Sequence, residues 1–225
     1  MWRSSLLIPL CQSSAVPIST FLGLTLMNTP DWSPRLPLTI VPKRHADNRG
    51  WFSEVFHSKR LHDLGIDRTF VQDNLSRSTR KGTLRGFHFQ GPPVAQAKLV
   101  SVVRGSMLDV VVDIRRGSST YGKWVSVELT SDNGKQLFVP SGFAHGIVTL
   151  EDEVTVLYKV SDYYAAANEG GIRWNDRDIA FPWPFKEADI TRSERDDRLP
   201  FLKDLDSPYP YDGSPLRELP TIGLD

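Results

Sequence analysis

The sequence predicts an all-β sandwich or barrel that carries only a few short helices. Three observations support this fold class: apolar residues recur at every second position, turn sequences follow one another closely, and no long helical pattern separates them. Alternation of this kind is typical of strands with two different faces. Many short strands joined by tight turns are typical of a sandwich or a closed barrel.

The first 26 residues are set apart from this fold. Residues 6–26 are apolar in patches, but Pro9, the polar stretch 12–14 and Pro17 interrupt them, whereas a transmembrane helix needs about 20 consecutive apolar residues. A reading frame that starts too early, with Met27 opening the protein, is one explanation of this segment, and a signal peptide with Arg3 as its positive charge is the other. We expect residues 1–26 to be an extension outside the fold and residues 27–225 to form a single domain.

Two short helices are predicted. The first runs over Ser58–Leu64, where Leu61 provides an apolar side and Gly65 ends the helix. The second begins near Ser193, whose hydroxyl can cap the acidic turn that starts at Glu194.

The clearest strands cover residues 108–114, 124–129 and 154–159, where Val, Leu or Ile occupies every second position. Turn sequences rich in Gly, Ser, Asn and Pro lie around these strands, at residues 104–106, 116–119, 132–134 and 140–142. After Asp204 the chain is rich in Pro, Asp and Gly, which predicts a mostly irregular tail along the surface.

Composition excludes several classes of partner. The 27 Lys and Arg residues balance the 27 Asp and Glu residues, so the formal net charge is zero. Nucleic-acid binders and proteins of membrane surfaces use basic patches, and we therefore expect neither partner. The single cysteine, Cys11, cannot form an internal disulfide, which favours a reducing, cytoplasmic location.

Two ionisable side chains lie on apolar strand faces. Lys98 shares a face with Val100, and Tyr158 shares a face with Val156. Because an unpartnered polar group is costly to bury, two such residues predict a lined cavity inside the barrel.

Two segments resemble the motifs of the cupin barrel. Residues 134–146, GKQLFVPSGFAHG, resemble the second cupin motif and end in His145 and Gly146, and residues 81–90, KGTLRGFHFQ, keep part of the first, including Gly82 and His88. The resemblance implies a cupin-type jelly-roll β-barrel.

A metal site is not expected in this barrel. Metal-binding cupins carry a second histidine two residues after the first, but this chain has Gln90 there and no Asp or Glu between His88 and Asp109. Two imidazoles without a carboxylate would make a weak site for a divalent transition metal. A metal-dependent oxygenase is kept as a lesser alternative.

A longer set of segments resembles one family. In chain order they are DNRGWFSE (47–54), FVQDNLSRS (70–78), TLRGFHFQGPPVAQAKLV (83–100), DVVVDIRRGSSTYGKW (109–124), VPSGFAHG (139–146), YKVSDYY (158–164) and EGGIRWND (169–176). Together, over residues 37–203, they resemble the dTDP-4-dehydrorhamnose 3,5-epimerase family. The resemblance implies a homodimer that epimerises dTDP-4-dehydro-6-deoxy-D-glucose, a nucleotide sugar, at C3 and C5 without a cofactor, in dTDP-L-rhamnose synthesis.

The chemistry of that reaction sets the residue types it needs. Hydrogens beside a ketone are weakly acidic, so epimerisation needs a base, an acid on the opposite face and a group that stabilises the enolate oxygen. The resemblance implies His88 as proton acceptor, Asp196 as its carboxylate partner and Tyr158 as proton donor. It also implies that Lys98 and Arg85 lie near the developing oxyanion.

The resemblance further implies a set of substrate-binding residues. Arg49 suits a diphosphate because its planar guanidinium can bind two oxygens, and Tyr164 can stack on the base. The full set is Arg49, Glu54, Gln72, Asp73, Asn74, Arg85, Lys98, His145, Tyr164, Glu169 and Arg195.

Arg85 and His88 would point to opposite faces of a regular strand, because they lie three residues apart. Gly86 between them predicts a β-bulge that turns both side chains into the barrel.

Two other functions stay open at this point. One is a single-position epimerase acting at C3 or C5 of a related deoxysugar nucleotide. The other is a cupin that binds a sugar nucleotide without catalysis.

Overall fold

The computed structural model describes residues 35–224, so the expected extension over residues 1–26 and the start of the domain at residue 27 lie outside the described residues. Thirteen strands and two α-helices are assigned within residues 35–224. The strands are β1 (Leu38–Pro42), β2 (Arg44–Asp47), β3 (Gly50–Ser53), β4 (Gln72–Ser78), β5 (Leu84–Gln90), β6 (Lys98–Arg104), β7 (Ser106–Asp113), β8 (Trp124–Thr130), β9 (Gln136–Val139), β10 (Phe143–Thr149), β11 (Val154–Val160), β12 (Glu169–Gly171) and β13 (Thr221–Leu224). The helices are α1 (Ser58–Asp63) and α2 (Glu194–Arg198), and three single-turn 3₁₀ helices cover Ala166–Asn168, Glu187–Asp189 and Leu202–Asp204.

Two sheets face each other across a common core. The six-stranded sheet has the order β13-β1-β9-β6-β11-β4, and the five-stranded sheet has the order β12-β5-β10-β7-β8. Their neighbouring strands are antiparallel, except that β13 runs parallel to β1. Side chains from both sheets, including Val100, Val111 and Val156, form one apolar cluster between them. The predicted all-β jelly-roll barrel is therefore confirmed.

A second apolar layer covers the outer face of the five-stranded sheet. Val110 and Val112 of β7 pack there beneath the irregular segment that carries Ile179 and Phe181. Both faces of β7 are consequently buried, and the inner face carries Asp109 and Val111. Alternate residues of this strand thus face the core between the sheets and the outer apolar layer, and neither set faces solvent.

Both predicted helices are present. α1 ends beside Gly65, and α2 begins after Ser193, whose hydroxyl accepts a hydrogen bond from the Asp196 backbone N–H at 3.2 Å. Between residues 35 and 224, no helix combines the length and apolar character that crossing a membrane requires.

The tail after Asp204 is irregular as far as β13, but it is not confined to the surface. Ser207 is fully buried, and Tyr209 lies 7% exposed with its hydroxyl donating to the Gln90 carbonyl at 2.5 Å. The pairing of β13 with β1 carried no clear signal in the sequence.

The β-bulge expected at Gly86 is confirmed. His88 lies opposite His145 and Arg85 lies opposite Ile147, so two residues of β5 face one residue of β10. Gly86 adopts φ +127°, and a Cβ there would lie 2.5 Å from the Gly146 Cα. This extra residue turns Arg85 and His88 toward the same cavity.

Replacing Gly86 by alanine should destabilise the fold, because the new Cβ would clash with backbone atoms at a φ that side chains disfavour. We expect Gly86→Ala to lower the free energy of unfolding by about 3 kcal/mol or more in urea denaturation. Gly223→Ala is the matched control, since a Cβ at this strand glycine would meet nothing within 4 Å. An unchanged urea midpoint for Gly86→Ala would contradict the close packing of β5 on β10.

Candidate active site

Two cavities of about 120 and 160 Å³ lie between the sheets and share His88, Lys98 and Tyr158. The first cavity is lined by Ser76, Arg85, His88, Lys98, Val100, His145, Ile147, Val156 and Tyr158. The second is lined by Gln72, Asn74, His88, Phe89, Gln90, Gln96, Lys98, Tyr158, Tyr164 and Glu169. The cavity predicted from Lys98 and Tyr158 is therefore present.

His88 and Asp196 come together although 108 residues separate them. The His88 Nε2 lies 2.6 Å from the Asp196 Oδ1, and the carboxyl is buried. Ser193 donates its hydroxyl to the Asp196 Oδ2 at 2.7 Å. Because an ionised carboxylate only accepts hydrogen bonds, the Nε2 of His88 carries the proton of this contact, which leaves Nδ1 of the neutral ring without one.

Burial acts to raise the pKa of the Asp196 carboxyl, but the hydrogen bonds from His88 and Ser193 outweigh it. The net result is a pKa below the ordinary value, so Asp196 stays ionised at neutral pH.

Tyr158 reaches the cavity from the opposite sheet. It lies on β11, opposite Val100 of β6, and is half-buried. Burial raises the pKa of the Tyr158 phenol, the charge of Arg85 lowers it, and Glu169 raises it further. The hydroxyl therefore keeps its proton at neutral pH and can donate it.

Lys98 begins β6 and points its side chain into both cavities. Burial lowers the pKa of Lys98 to about 8, while the charges of Asp109 and Glu169 act in the opposite direction. A cation in this position is suited to stabilising a developing oxyanion.

A second histidine–carboxylate pair lies beside the first. The His145 Nε2 is 2.7 Å from the Asp109 Oδ1, and His145 faces His88 across neighbouring strands. Asp109 is fully buried. Sequence reasoning missed this carboxylate, although a charged residue inside a run of apolar strand residues was the available signal.

A cluster of polar side chains closes the second cavity. The Tyr164 hydroxyl donates to the Glu169 Oε2 at 2.9 Å, and the Arg195 guanidinium donates to the Glu169 Oε1 at 2.8 Å. Burial acts to raise the pKa of Glu169, but Arg195 and Tyr164 outweigh it and lower the pKa. Gln72 and Asn74 of β4 face the same space.

Four residues of the expected binding set line neither cavity: Arg49, Glu54, Asp73 and Arg195, the last of which contacts the cavity-lining Glu169. Arg49 pairs with its neighbour Asp47 on the β2–β3 hairpin, where its side chain is 84% exposed. Glu54 follows that hairpin and lies 3.1 Å from Arg60. Asp73 points outward from β4 and pairs with Lys159 at 2.9 Å.

Residues 35–224 contain no group of three or more His, Cys, Asp and Glu side chains arranged to hold a metal ion. His88 and His145 each contact a buried carboxylate instead.

Comparisons with known proteins identify the family of the chain. The sequence model of the dTDP-4-dehydrorhamnose 3,5-epimerase family matches residues 37–204. The chain belongs to this family. A family member from Sinorhizobium fredii is 47% identical over 172 residues, which cover 76% of this chain and 88% of the relative.

Solved structures lead to the same family. A dTDP-6-deoxy-D-glucose-3,5-epimerase from Legionella pneumophila, in complex with dTDP-4-keto-L-rhamnose, is 39% identical with a TM-score of 0.73, covering 79% of this chain and all of that one. An epimerase of the same family from Bacillus anthracis, with TDP and PPi bound, is 45% identical with a TM-score of 0.69, covering 72% and 91% of the two chains.

Proposed function

We propose that this chain epimerises dTDP-4-dehydro-6-deoxy-D-glucose at C3 and C5, without a cofactor, as a dTDP-4-dehydrorhamnose 3,5-epimerase. One observation carries the proposal: the His88–Asp196 pair and the Tyr158 hydroxyl approach one cavity from opposite sheets, and Lys98 lines the same cavity. Epimerisation requires this combination of a base, an acid on the other face and a fixed cation.

In this proposal His88 removes the proton from the carbon beside the ketone. Asp196 holds the ring through Nε2 and stabilises the imidazolium that forms, which leaves Nδ1 as the accepting atom. Lys98 and Arg85 stabilise the enolate oxygen, and one such donor typically contributes about 3 kcal/mol to lowering a barrier. Tyr158 then supplies a proton to the opposite face of the carbon.

The nucleotide half of the substrate is assigned to the second cavity. Tyr164 offers an exposed aromatic ring for stacking on the base, and Gln72 and Asn74 offer amide groups beside it. The bound dTDP-4-keto-L-rhamnose and TDP of the two related structures support a nucleotide sugar as the ligand.

We also propose that the chain works as a homodimer. The β2–β3 hairpin pairs with neither large sheet, and its Trp51 and Phe52 are 57% and 70% exposed. Leu75 and Val103 expose further apolar surface on the outer face of the six-stranded sheet. A second copy would cover these side chains. In such a dimer, Arg49 on the hairpin and Glu54 beside it could reach the cavity of the second copy.

The proton chemistry can be tested by NMR of the 4-keto sugar after incubation in deuterated water. His88→Asn should abolish exchange at both carbons while the affinity for dTDP is kept.

Tyr158→Phe should exchange with configuration retained while inversion falls by about 10²- to 10⁴-fold, the usual size of an acid–base contribution. Tyr163→Phe is the matched control, because this exposed ring lines neither cavity.

The same experiment separates the alternatives. Deuterium at only one carbon would indicate a single-position epimerase, and no exchange in the unmodified chain would indicate a binding protein without catalysis. Inversion by Tyr158→Phe at the unmodified rate would overturn the assigned donor.

The charge of Lys98 predicts a pH dependence. Its pKa is lowered to about 8, so the ammonium is present below this pH and is lost above it. We expect kcat/KM, which reports groups of the free enzyme, to fall as the pH rises through about 8. Lys98→Arg should lack this fall whatever its rate, because a guanidinium stays charged. Lys123→Arg, at an exposed position, is the control; a fall near pH 8 that survives in Lys98→Arg would refute the role.

Sedimentation velocity tests the dimer. The unmodified chain should sediment at twice its 25.4 kDa mass, and the double variant Trp51→Asp/Phe52→Asp should sediment as a single chain, because two buried charges without partners would oppose association. Tyr163→Asp, at another exposed aromatic residue, should keep the dimer mass. A single-chain mass for the unmodified protein would show the proposal to be wrong.

A further inference from the structure

Gln90 occupies a position that the proposed chemistry leaves without a role. It is the last residue of β5, two residues beyond His88, and is 2% exposed. It lines the second cavity together with Tyr164 and Glu169. A buried primary amide destabilises the fold unless its hydrogen bonds are satisfied. Its hydrogen-bond partners therefore indicate which groups it holds in place.

The Gln90 amide is hydrogen-bonded on both of its ends. Its Nε2 donates to the Val94 carbonyl at 2.6 Å and to the Tyr163 carbonyl at 3.0 Å. Its Oε1 accepts from the Ala165 backbone N–H at 2.9 Å. Both amide hydrogens and the carbonyl oxygen are therefore used, and all three partners are backbone groups of loops.

Two of these partners bracket a single residue. The Tyr163 carbonyl and the Ala165 N–H belong to the peptide groups on either side of Tyr164. The Tyr164 N–H donates to the Gln72 Oε1 at 3.2 Å, and its hydroxyl donates to Glu169. The ring itself is 59% exposed, so polar contacts rather than packing orient it.

The end of β5 is fixed as well. The Gln90 carbonyl accepts from the Tyr209 hydroxyl at 2.5 Å and from the Gln96 N–H at 3.3 Å. The side chain of Gln90 therefore extends from an anchored backbone, so the peptide groups that it binds are positioned relative to β5. The loop that carries Tyr164 is thereby linked to the strand that carries His88.

We propose that Gln90 is a positioning residue that sets the orientation of Tyr164 toward the base of the nucleotide, and so determines affinity for the nucleotide half of the substrate. The inference rests on the proposed function, because it requires a nucleotide in the second cavity. Stacking needs a ring held at a defined angle, and an untethered loop would lose entropy each time it ordered on a ligand.

Gln90→Met tests the inference, because methionine is similar in length and removes all three hydrogen bonds. We expect KM for the nucleotide sugar and Kd for dTDP to rise at least about tenfold, so that the fall in kcat/KM comes from KM, the result expected when ground-state binding is lost. Kd for inorganic pyrophosphate, which has no base to stack, should stay within about twofold.

Two further variants keep the test decisive. In a Tyr164→Ala background, Gln90→Met should cause no additional loss of dTDP affinity, because residues that act through one contact are not additive. Thr149→Val removes another buried polar group, a hydroxyl that donates to the Arg80 carbonyl and accepts from the Thr83 N–H, and should lower Tm without changing the Kd for dTDP. If Gln90→Met does not fold, Gln90→Glu replaces it, since a carboxylate keeps the shape and the Ala165 contact but cannot donate to the two carbonyls.

Each outcome decides the question. An unchanged Kd for dTDP, a loss of kcat with KM unchanged, or an equal additional loss in the Tyr164→Ala background would overturn the inference alone. Failure of the unmodified chain to bind dTDP would overturn the proposed function, and the inference with it.

Discussion

The close approach of β5 and β10 is the constraint on which the site depends. Gly86 and Gly146 face each other there, and a Cβ on Gly146 would lie 2.7 Å from the ring of Phe87. Two strands can approach so closely only where neither carries a side chain at the contact. The extra residue of β5 brings Arg85 and His88 to one side.

The same bulge positions the carboxylate that orients the histidine. The Gly86 N–H points at the Asp196 Oδ1 at 3.4 Å, and Asp196 itself is held at the start of α2 by Ser193. A five-residue helix has little stability of its own, so its place depends on these buried polar contacts. The backbone geometry of β5 and a capping box 110 residues later thus together fix the side chains of His88 and Asp196.

Charge balance explains why the cavity can hold so many ionisable groups. His88, His145 and Arg195 each contact a carboxylate, whereas no ion pair within residues 35–224 includes Lys98. Lys98 therefore bears the cost of burial without an ion-pair partner and its pKa falls, whereas the pKa values of Asp196 and Glu169, which are paired, lie below their ordinary values. Lys98 is therefore free to meet the charge of a ligand.

Local patterns in the sequence predicted the strands β7, β8 and β11, both helices and the bulge, because alternation, caps and glycine act over a few residues. They could not predict that Asp109 meets His145 or that β13 pairs with β1, since such contacts depend on sheet order. The pairing of His88 with Asp196 came from family resemblance alone, for the same reason. The alternation in β7 also did not show which of its faces points into the barrel, because both faces are covered.

The pairing of β13 with β1 places the boundary of the folded unit beyond the boundary of the family match. The match ends at residue 204, yet without the residues that follow, β1 would become the outermost strand of the six-stranded sheet. Its backbone N–H and C=O groups would then face solvent as an open edge, the kind of surface along which chains add to one another. β13 covers this edge with four residues, of which Thr221 and Gly223 are exposed. The tail thus covers the edge of β1, on a part of the sheet that carries none of the cavity-lining residues.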